Sequence, residues 1–311
     1  MITKGLYQDI LIHGNVVAPG NRDCSMRWKA ILPFLARYND YEPLKILDFG
    51  ANYGYFSFKL AEKFPFSTIE MVDYEPLLKS LHSINNYSNV KLHFEYMDED
   101  RISEFLREKD YDLILAMSIL HHFENPEEII NLFLEAGKTV LFEVGYPNEN
   151  PVSNPEKINP IYEYLTKNNS IQINDWIPHE RPLFYIARDE VTVKGEVHSG
   201  LKLASSKTFP EIDYQLWDLF RCKLYPGTLN INLEKKVHFC NPTPFAEEYR
   251  IYPMFLNGFP CYNISPNSRD YPTKEVESIS PFRLRDIFNL QDGDEVNVSM
   301  RNEYLLVEEG K

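Results

Sequence analysis

The segment 45–59, KILDFGANYGYFSFK, constrains this chain more than any other. Ile46-Leu47-Asp48-Phe49 is a short apolar run cut off at Gly50-Ala51-Asn52-Tyr53-Gly54. An amphipathic stretch with Phe56, Phe58, Leu60 and Ala61 follows. The pattern predicts a buried strand, a glycine-bearing turn and a helix. Glycines at 50 and 54 let the backbone turn tightly and approach a ligand with no Cβ in the way. The helix behind them offers free N–H groups and the positive end of its dipole. A phosphate-binding loop would end in Gly-Lys-Ser/Thr. Here Asp48 precedes the turn and Tyr55-Phe56 follow it, so the expected ligand is not a triphosphate. A carboxylate beside a tight glycine turn suits an ammonium or sulfonium group.

The pattern repeats downstream. Ser67–Val72 reads as a second strand closed by Asp73; Glu75 stands two positions on, and Asp73 is preferred because it ends the apolar run. A strand–turn–helix–strand unit with an acid at that place sets a carboxylate against a ribose diol. Val90–Tyr96 alternates as a third strand and runs into Asp98-Glu99-Asp100. Tyr111–Ala116 is a fourth, followed by Met117-Ser118-Ile119-Leu120-His121-His122-Phe123, and Lys138–Val144 a fifth. A helix is expected near Ile158–Lys167 and a last strand over Arg181–Arg188. Strands alternating with helices predict a doubly wound α/β sheet, whose ligands lie outside the carboxyl ends of its strands. Upstream, Trp28, Ile31, Leu32 and Leu35 recur at helical spacing, as in a helix laid over the first strand. Its neighbours Arg22, Arg27 and Trp28 either face a substrate or belong to a solvated cap.

The D-x-G-x-x-x-G arrangement at Asp48–Gly54 resembles motif I of the class I S-adenosylmethionine-dependent methyltransferases. YDLILAMSILHHF at 111–123 resembles the fourth motif of many small-molecule members, and the likeness covers about residues 25–190. It implies S-adenosyl-L-methionine as cofactor, with Asp48, Gly50, Asn52, Gly54, Asp73, Asp98 and Met117 as its candidate contacts. Methyl transfer is an in-line displacement on a sulfonium carbon, so the protein mainly positions the nucleophile and supplies a base. His121 or His122 is the candidate, because histidine titrates near neutral pH.

Near Asp189 the alternation ends and a run of short strands begins, which divides the chain into 1–189 and 190–311. A length of 311 residues accommodates two domains. Tyr225–Glu234, YPGTLNINLE, Ile279–Arg285, ISPFRLR, and Leu290–Val296, LQDGDEV, resemble in order the archaeal-type CTP-dependent riboflavin kinases. Gly195–Leu201 is similar to that family's opening strand and loop. The expected fold class is therefore α/β: a Rossmann-like methyltransferase domain followed by a small, mostly-β cradle-loop barrel. In the strand after Pro226-Gly227, Leu229, Ile231 and Leu233 face one way and Thr228, Asn230 and Asn232 the other. Two oxygen-bearing side chains two positions apart can converge on one Mg²⁺ alongside nucleotide phosphates. The resemblance places the metal ligands on Thr228 and Asn230, and nucleotide contacts on Gly200, Lys202 and Gly227. The family's first loop reads roughly S-G-L-G-x-G-A; here Lys202 and Ala204 replace two glycines, which favours nucleotide binding, as CTP or CDP with Mg²⁺, over riboflavin phosphorylation.

Composition limits the partners. A formal net charge of -14 argues against wholesale nucleic-acid binding, which needs a basic surface. No run approaches the length of a membrane span. Four scattered cysteines without a C-x-x-C argue against a disulfide framework or zinc ribbon and fit a reducing cytoplasm. The leading expectation is a cytoplasmic methyltransferase of a small molecule or carbohydrate, phosphorylated or nucleotide-linked acceptors included. The alternatives are a bifunctional methyltransferase and CTP-dependent kinase, and a non-catalytic scaffold. The oligomeric state is not legible.

Overall fold

The computed structural model describes residues 5–147, 155–167, 171–172, 181–200, 224–242 and 249–308. Its contacts divide the chain into two units. The first holds residues 1–31 and 40–188, the second 32–39 and 189–311.

The first unit is built on a seven-stranded sheet. After a hairpin of β1 (Ile10–Ile12) and β2 (Asn15–Ala18) and the helix α1 (Cys24–Leu35), whose residues from 32 on count with the second unit and not, as expected, with the first, five parallel strands follow. They are β3 (Lys45–Phe49), β4 (Thr68–Asp73), β5 (Val90–Phe94), β6 (Tyr111–Met117) and β7 (Gly137–Glu143). Helices α2 (Tyr55–Lys63), α3 (Pro76–Asn85), α4 (Glu99–Leu106) and α5 (Pro126–Ala136) connect them. After α6 (Ile158–Lys167) come β8 (Ile171–Gln172) and β9 (Leu183–Ala187), giving the order β5-β4-β3-β6-β7-β9-β8. The expected last strand, β9, runs antiparallel to β7. The strand order reverses at β3, so the crevice above β3 and β6 is the switch point where such sheets bind ligands.

Because β3 and β6 are central, their side chains are apolar on both faces: Ile46, Leu47, Leu113, Ile114 and Leu115 have no exposure. Phe49 meets Phe133 of α5 edge-to-face, 5.2 Å between centroids, anchoring that helix beneath the carboxyl end of β3. On α1 the buried stripe is not the one the spacing predicts. Cys24, Arg27, Ile31, Phe34 and Leu35 are buried, whereas Trp28 and Leu32 lie only on its flank. An arginine joins the inner face because a carboxylate waits for it there.

The second unit is antiparallel. Strands β10 (Glu190–His198), β11 (Leu229–Phe239), β12 (Tyr249–Leu256), β13 (Phe259–Pro266), β14 (Thr273–Ile279) and β15 (Glu295–Arg301) pair in the order β10-β15-β12-β13-β14-β11. The β10–β11 pairing closes the ring. The result is a six-stranded closed barrel, with β16 (Leu305–Val307) added beside the far half of β11. Closure removes free edges. Leu229, Ile231 and Leu233 are buried while Asn232 and Glu234 are exposed, the period-two pattern expected of β11. Arg37 lies in this unit's sequence share and is buried against Asp189 at 2.7 Å and Glu190 at 3.0 Å. Among the described residues no helix is long and apolar enough to cross a membrane.

Candidate functional site

The glycine turn between β3 and α2 is bolted to the neighbouring strand. Gly50 and Ala51 donate their N–H groups to the Val72 carbonyl at 3.0 and 3.1 Å. Gly50, Asn52 and Gly54 all have positive φ, 79°, 53° and 79°. A Cβ at Gly50 would stand 3.0 Å from Ile119 Cγ1, in the loop after β6, so this position needs glycine for conformation and for space.

Two acids flank the turn. Asp48 is almost fully buried and accepts a hydrogen bond from Ser57 Oγ at 2.6 Å. Burial pushes its carboxyl up from 3.8 to about 6; the Ser57 hydrogen bond pulls down, the Asp73 charge pushes up and Arg27 pulls down. Asp73 accepts from the Asn52 N–H at 2.7 Å and from the Glu75 N–H at 2.9 Å. Glu75 is spent as the N-cap of α3, accepting from the Leu77 N–H at 3.2 Å. Asp98 ends the next loop, exposed, where it caps α4 by accepting the Arg101 N–H at 2.9 Å. Met117 is buried at the end of β6.

His121 and His122 form a single turn, with ring centroids 4.2 Å apart. His121 is buried and His122 opens to solvent. Partial desolvation lowers the His122 pKa, while the Asp73 charge acts in the opposite direction.

A buried charged network at the same strand ends was not legible in the sequence as a unit. Arg27 donates from Nε and Nη2 to the two oxygens of Glu143 at 2.8 and 2.9 Å, both side chains fully buried. Arg22 Nη2 lies 3.2 Å from Glu143 Oε1. Ser118 Oγ donates to Glu143 and accepts from Arg181 Nη1 at 3.0 Å. Burial works against the Arg27 charge, yet Glu143's charge and hydrogen bonds raise its pKa. Ser118 holds φ of 60°, a strained value for serine, immediately after β6. Glu143 ends β7, and the rule that functional groups sit at carboxyl ends of strands is the sequence signal that could have found it.

This crevice fits S-adenosylmethionine on its own observations. Two acids, Asp48 and Asp73, flank the turn, and two buried polar atoms, Arg27 Nη1 and Asn52 Oδ1, have no partner.

In the second unit, a cleft of about 680 Å³ opens at the end of the barrel where β10, β11 and β14 meet. The register sets His198, Asn230 and Glu277 side by side across these three strands. Thr228 and Gly200 also line it, and Gly227 forms the turn before β11 with φ of 110°. A Cβ at Gly200 would fall 2.2 Å from Asn230 Nδ2, so the backbone of the opening loop rests on that carboxamide. Asp292 accepts from Ser199 Oγ and Arg285 Nη2, each at 2.5 Å, and these two partners, Ser199 first, hold its carboxyl below the usual range. The residues of the closing motif are thus a clasp on the opening loop. Among the described residues no cluster of three or more His, Cys, Asp or Glu is placed to hold a metal. Thr228 and Asn230 are the neutral oxygen donors expected beside a phosphate-bound magnesium. Lys202 lies outside the described residues.

Comparison with known proteins agrees with both halves. A family model described as "Methyltransferase domain" matches residues 21–178. The CTP-dependent riboflavin kinase model, described as "Domain of unknown function DUF120", matches residues 204–300. A riboflavin kinase of Saccharolobus solfataricus is 30% identical over 131 residues, 35% of this chain and 74% of that protein. A riboflavin kinase of Methanospirillum hungatei is 35% identical over 92 residues, 24% of this chain and 42% of its own length. The malonyl-acyl-carrier-protein O-methyltransferase of Bacillus cereus is 29% identical over 99 residues, 31% of this chain and 35% of its own. This chain therefore spans under half the length of the second and third of these relatives. It belongs to the methyltransferase-domain family and carries a second domain of the CTP-dependent riboflavin kinase family.

Proposed function

We propose that the chain transfers a methyl group from S-adenosylmethionine to a small-molecule or carbohydrate acceptor that carries, or is handed on with, a phosphate or nucleotide. The observation that carries the first half is the pair Asp48 and Asp73 at the ends of adjacent strands, with the Asn52 N–H of the glycine turn donating to Asp73. When bound, S-adenosylmethionine supplies a methyl carbon made electrophilic by its sulfonium. Asp73 accepts from the ribose hydroxyls, Asp48 offsets positive charge from below the turn, and Gly50 and Gly54 let the backbone approach. Met117 floors the crevice, and Asp98 borders the base. His122, whose pKa desolvation lowers, takes the acceptor's proton; His121 packs behind it.

In the barrel, Thr228 and Asn230 would hold Mg²⁺, which would neutralise charge on the bound nucleotide, CTP or CDP. Gly200 and Gly227 admit the phosphates close to the backbone, and Lys202 adds a point charge. A second reading, phosphoryl transfer by this domain, is favoured by the polar row of His198, Asn230 and Glu277 in the cleft. It would make the protein a bifunctional methyltransferase and kinase.

Calorimetry with S-adenosylhomocysteine, and separately with CTP and Mg²⁺, tests both sites. Labelled methyl transfer to a panel of hydroxylated and phosphorylated sugars tests the acceptor class. Failure of every sugar with the cofactor bound would exclude that class. Labelled CTP with riboflavin and the same sugars separates binding from phosphoryl transfer.

A further inference from the structure

The barrel carries a polar row among apolar neighbours. Ser278 of β14 stands opposite Leu229 of β11 on one side and Asn263 of β13 on the other; Asn263 in turn stands opposite Tyr252 of β12. Directly opposed residues of antiparallel strands share a face. The four side chains therefore point the same way, as do the fully buried Ile231 and Val276 two residues along. Asn263 has no exposure and Ser278 only 1%, yet among the described residues Asn263 Nδ2 and Ser278 Oγ have no hydrogen-bond partner. Buried polar atoms are nearly always paired, so each asks for one. The Asn263 carboxamide is fixed in sense, because its Oδ1 accepts the Glu277 N–H at 3.2 Å and the remaining end can only donate. Beside Ser278 the buried Cys261 thiol is a weak acceptor at best. Ser278 also lines the cleft that holds Thr228 and Asn230.

No member of the row is charged, so an ion set against it would be buried without a counter-charge. A neutral acceptor suits it, a carbonyl oxygen or a ring nitrogen. Tyr225 and Phe282 line the same cleft with their rings exposed. Ser280, two residues beyond Ser278, holds both in place: its carbonyl accepts the Tyr225 N–H at 2.9 Å and its hydroxyl the Phe282 N–H at 3.2 Å. Aromatic faces at the mouth and polar donors in the wall complement a flat ring with a polar edge. We propose that Ser278 and Asn263 form a notch in the cleft wall that binds the carbonyl-bearing edge of a planar heterocycle. Ser278 meets the ring at the wall, and Asn263, one strand behind, adds its donor. The notch rests on the nucleotide reading of this cleft and adds to it a pair of specificity residues. A pyrimidine base offers such an edge, and so does the ring of a phosphoryl acceptor; the test separates the two.

The test is calorimetry on the full chain with three probes: CTP with Mg²⁺, inorganic triphosphate with Mg²⁺, and riboflavin. Ser278→Ala removes one hydroxyl and little volume. It is expected to weaken a ring-bearing probe about threefold to tenfold, the range for one neutral hydrogen bond, and to leave triphosphate within about twofold. Asn263→Asp keeps an oxygen for the Glu277 N–H but replaces the donor, and should weaken the same probe at least as far. A loss confined to CTP supports the notch and assigns it to the base; a loss confined to riboflavin supports it and assigns it to an acceptor's ring. Melting curves without ligand add a second readout, since removing an unpaired buried hydroxyl should leave the melting temperature of Ser278→Ala unchanged or raised. A lowered melting temperature with equal losses for all three probes would mark the pair as structural and overturn the notch. So would unchanged binding of every ring-bearing probe that the wild-type chain takes up. Should the wild-type chain bind neither CTP nor riboflavin, the nucleotide reading falls and takes the notch with it.

Discussion

The Asn52 N–H donates to Asp73 Oδ2 at 2.7 Å, so the acid that closes β4 also pins the glycine turn of β3. Its other oxygen accepts the Glu75 N–H, which ties the start of α3 to the same carboxylate. Asp73→Ala removes both acceptors. It is expected to cost about 2 kcal/mol of stability and at least about tenfold in S-adenosylhomocysteine affinity. Binding of CTP with Mg²⁺ should be unchanged. Calorimetry with the two ligands checks this, and loss of both would mean the sites are wrongly divided.

Asp48 makes stability fall with pH. Its folded pKa lies near 6 and its unfolded value near 3.8, so between them the folded chain holds a proton that the unfolded chain has lost. Stability from this group therefore declines from about pH 4 to about pH 6 and then stays low, a span of about 3 kcal/mol. Asp48→Asn should flatten that decline and raise the melting temperature at pH 7.5, while weakening cofactor binding. Melting curves of both proteins from pH 4 to 8 test it, and parallel curves would contradict the assignment.

Glu143 holds Arg27 and Arg22 in the interior. Glu143→Gln leaves buried positive charge uncompensated and should cost about 3–5 kcal/mol. The double variant Arg27→Met with Glu143→Leu should recover a large part of it, because replacing a buried pair is far less harmful than breaking one. Urea denaturation of the single and double variants gives the comparison.

Gly200 rests on the Asn230 carboxamide. Gly200→Ala forces that side chain aside, and binding of CTP with Mg²⁺ should fall about as far as in Asn230→Ala, with S-adenosylhomocysteine binding intact. Unchanged nucleotide binding in both variants would remove Asn230 from the metal site.

If His122 is the base, His122→Asn should lower kcat about 10²–10⁴-fold, with S-adenosylhomocysteine affinity kept. The wild-type rate should fall as pH drops through a value below the ordinary histidine range, because desolvation lowers the His122 pKa. The matching His121→Asn variant should act chiefly on stability, since that ring is buried. The reverse pattern would exchange the two roles.

The sequence by itself determined the strand–turn–helix at Asp48–Gly54, the parallel core strands and the alternation of β11. Each depends on periodicity, glycine and local turn chemistry, which act over a few residues. It also placed Asp48, Asp73 and Met117 at the carboxyl ends of strands, because strand ends are local. Only the tertiary structure decided that Glu75 is a helix cap, that Asp98 stands exposed as another, and that Asp292 clasps Ser199. The same is true of the fully buried Arg27–Glu143 pair, whose partners lie far apart in sequence. An arginine on a helical wheel reads as a solvated face until the carboxylate that draws it inward has been brought there by the fold. Burial and charge pairing are properties of distant residues meeting, and no local window contains them.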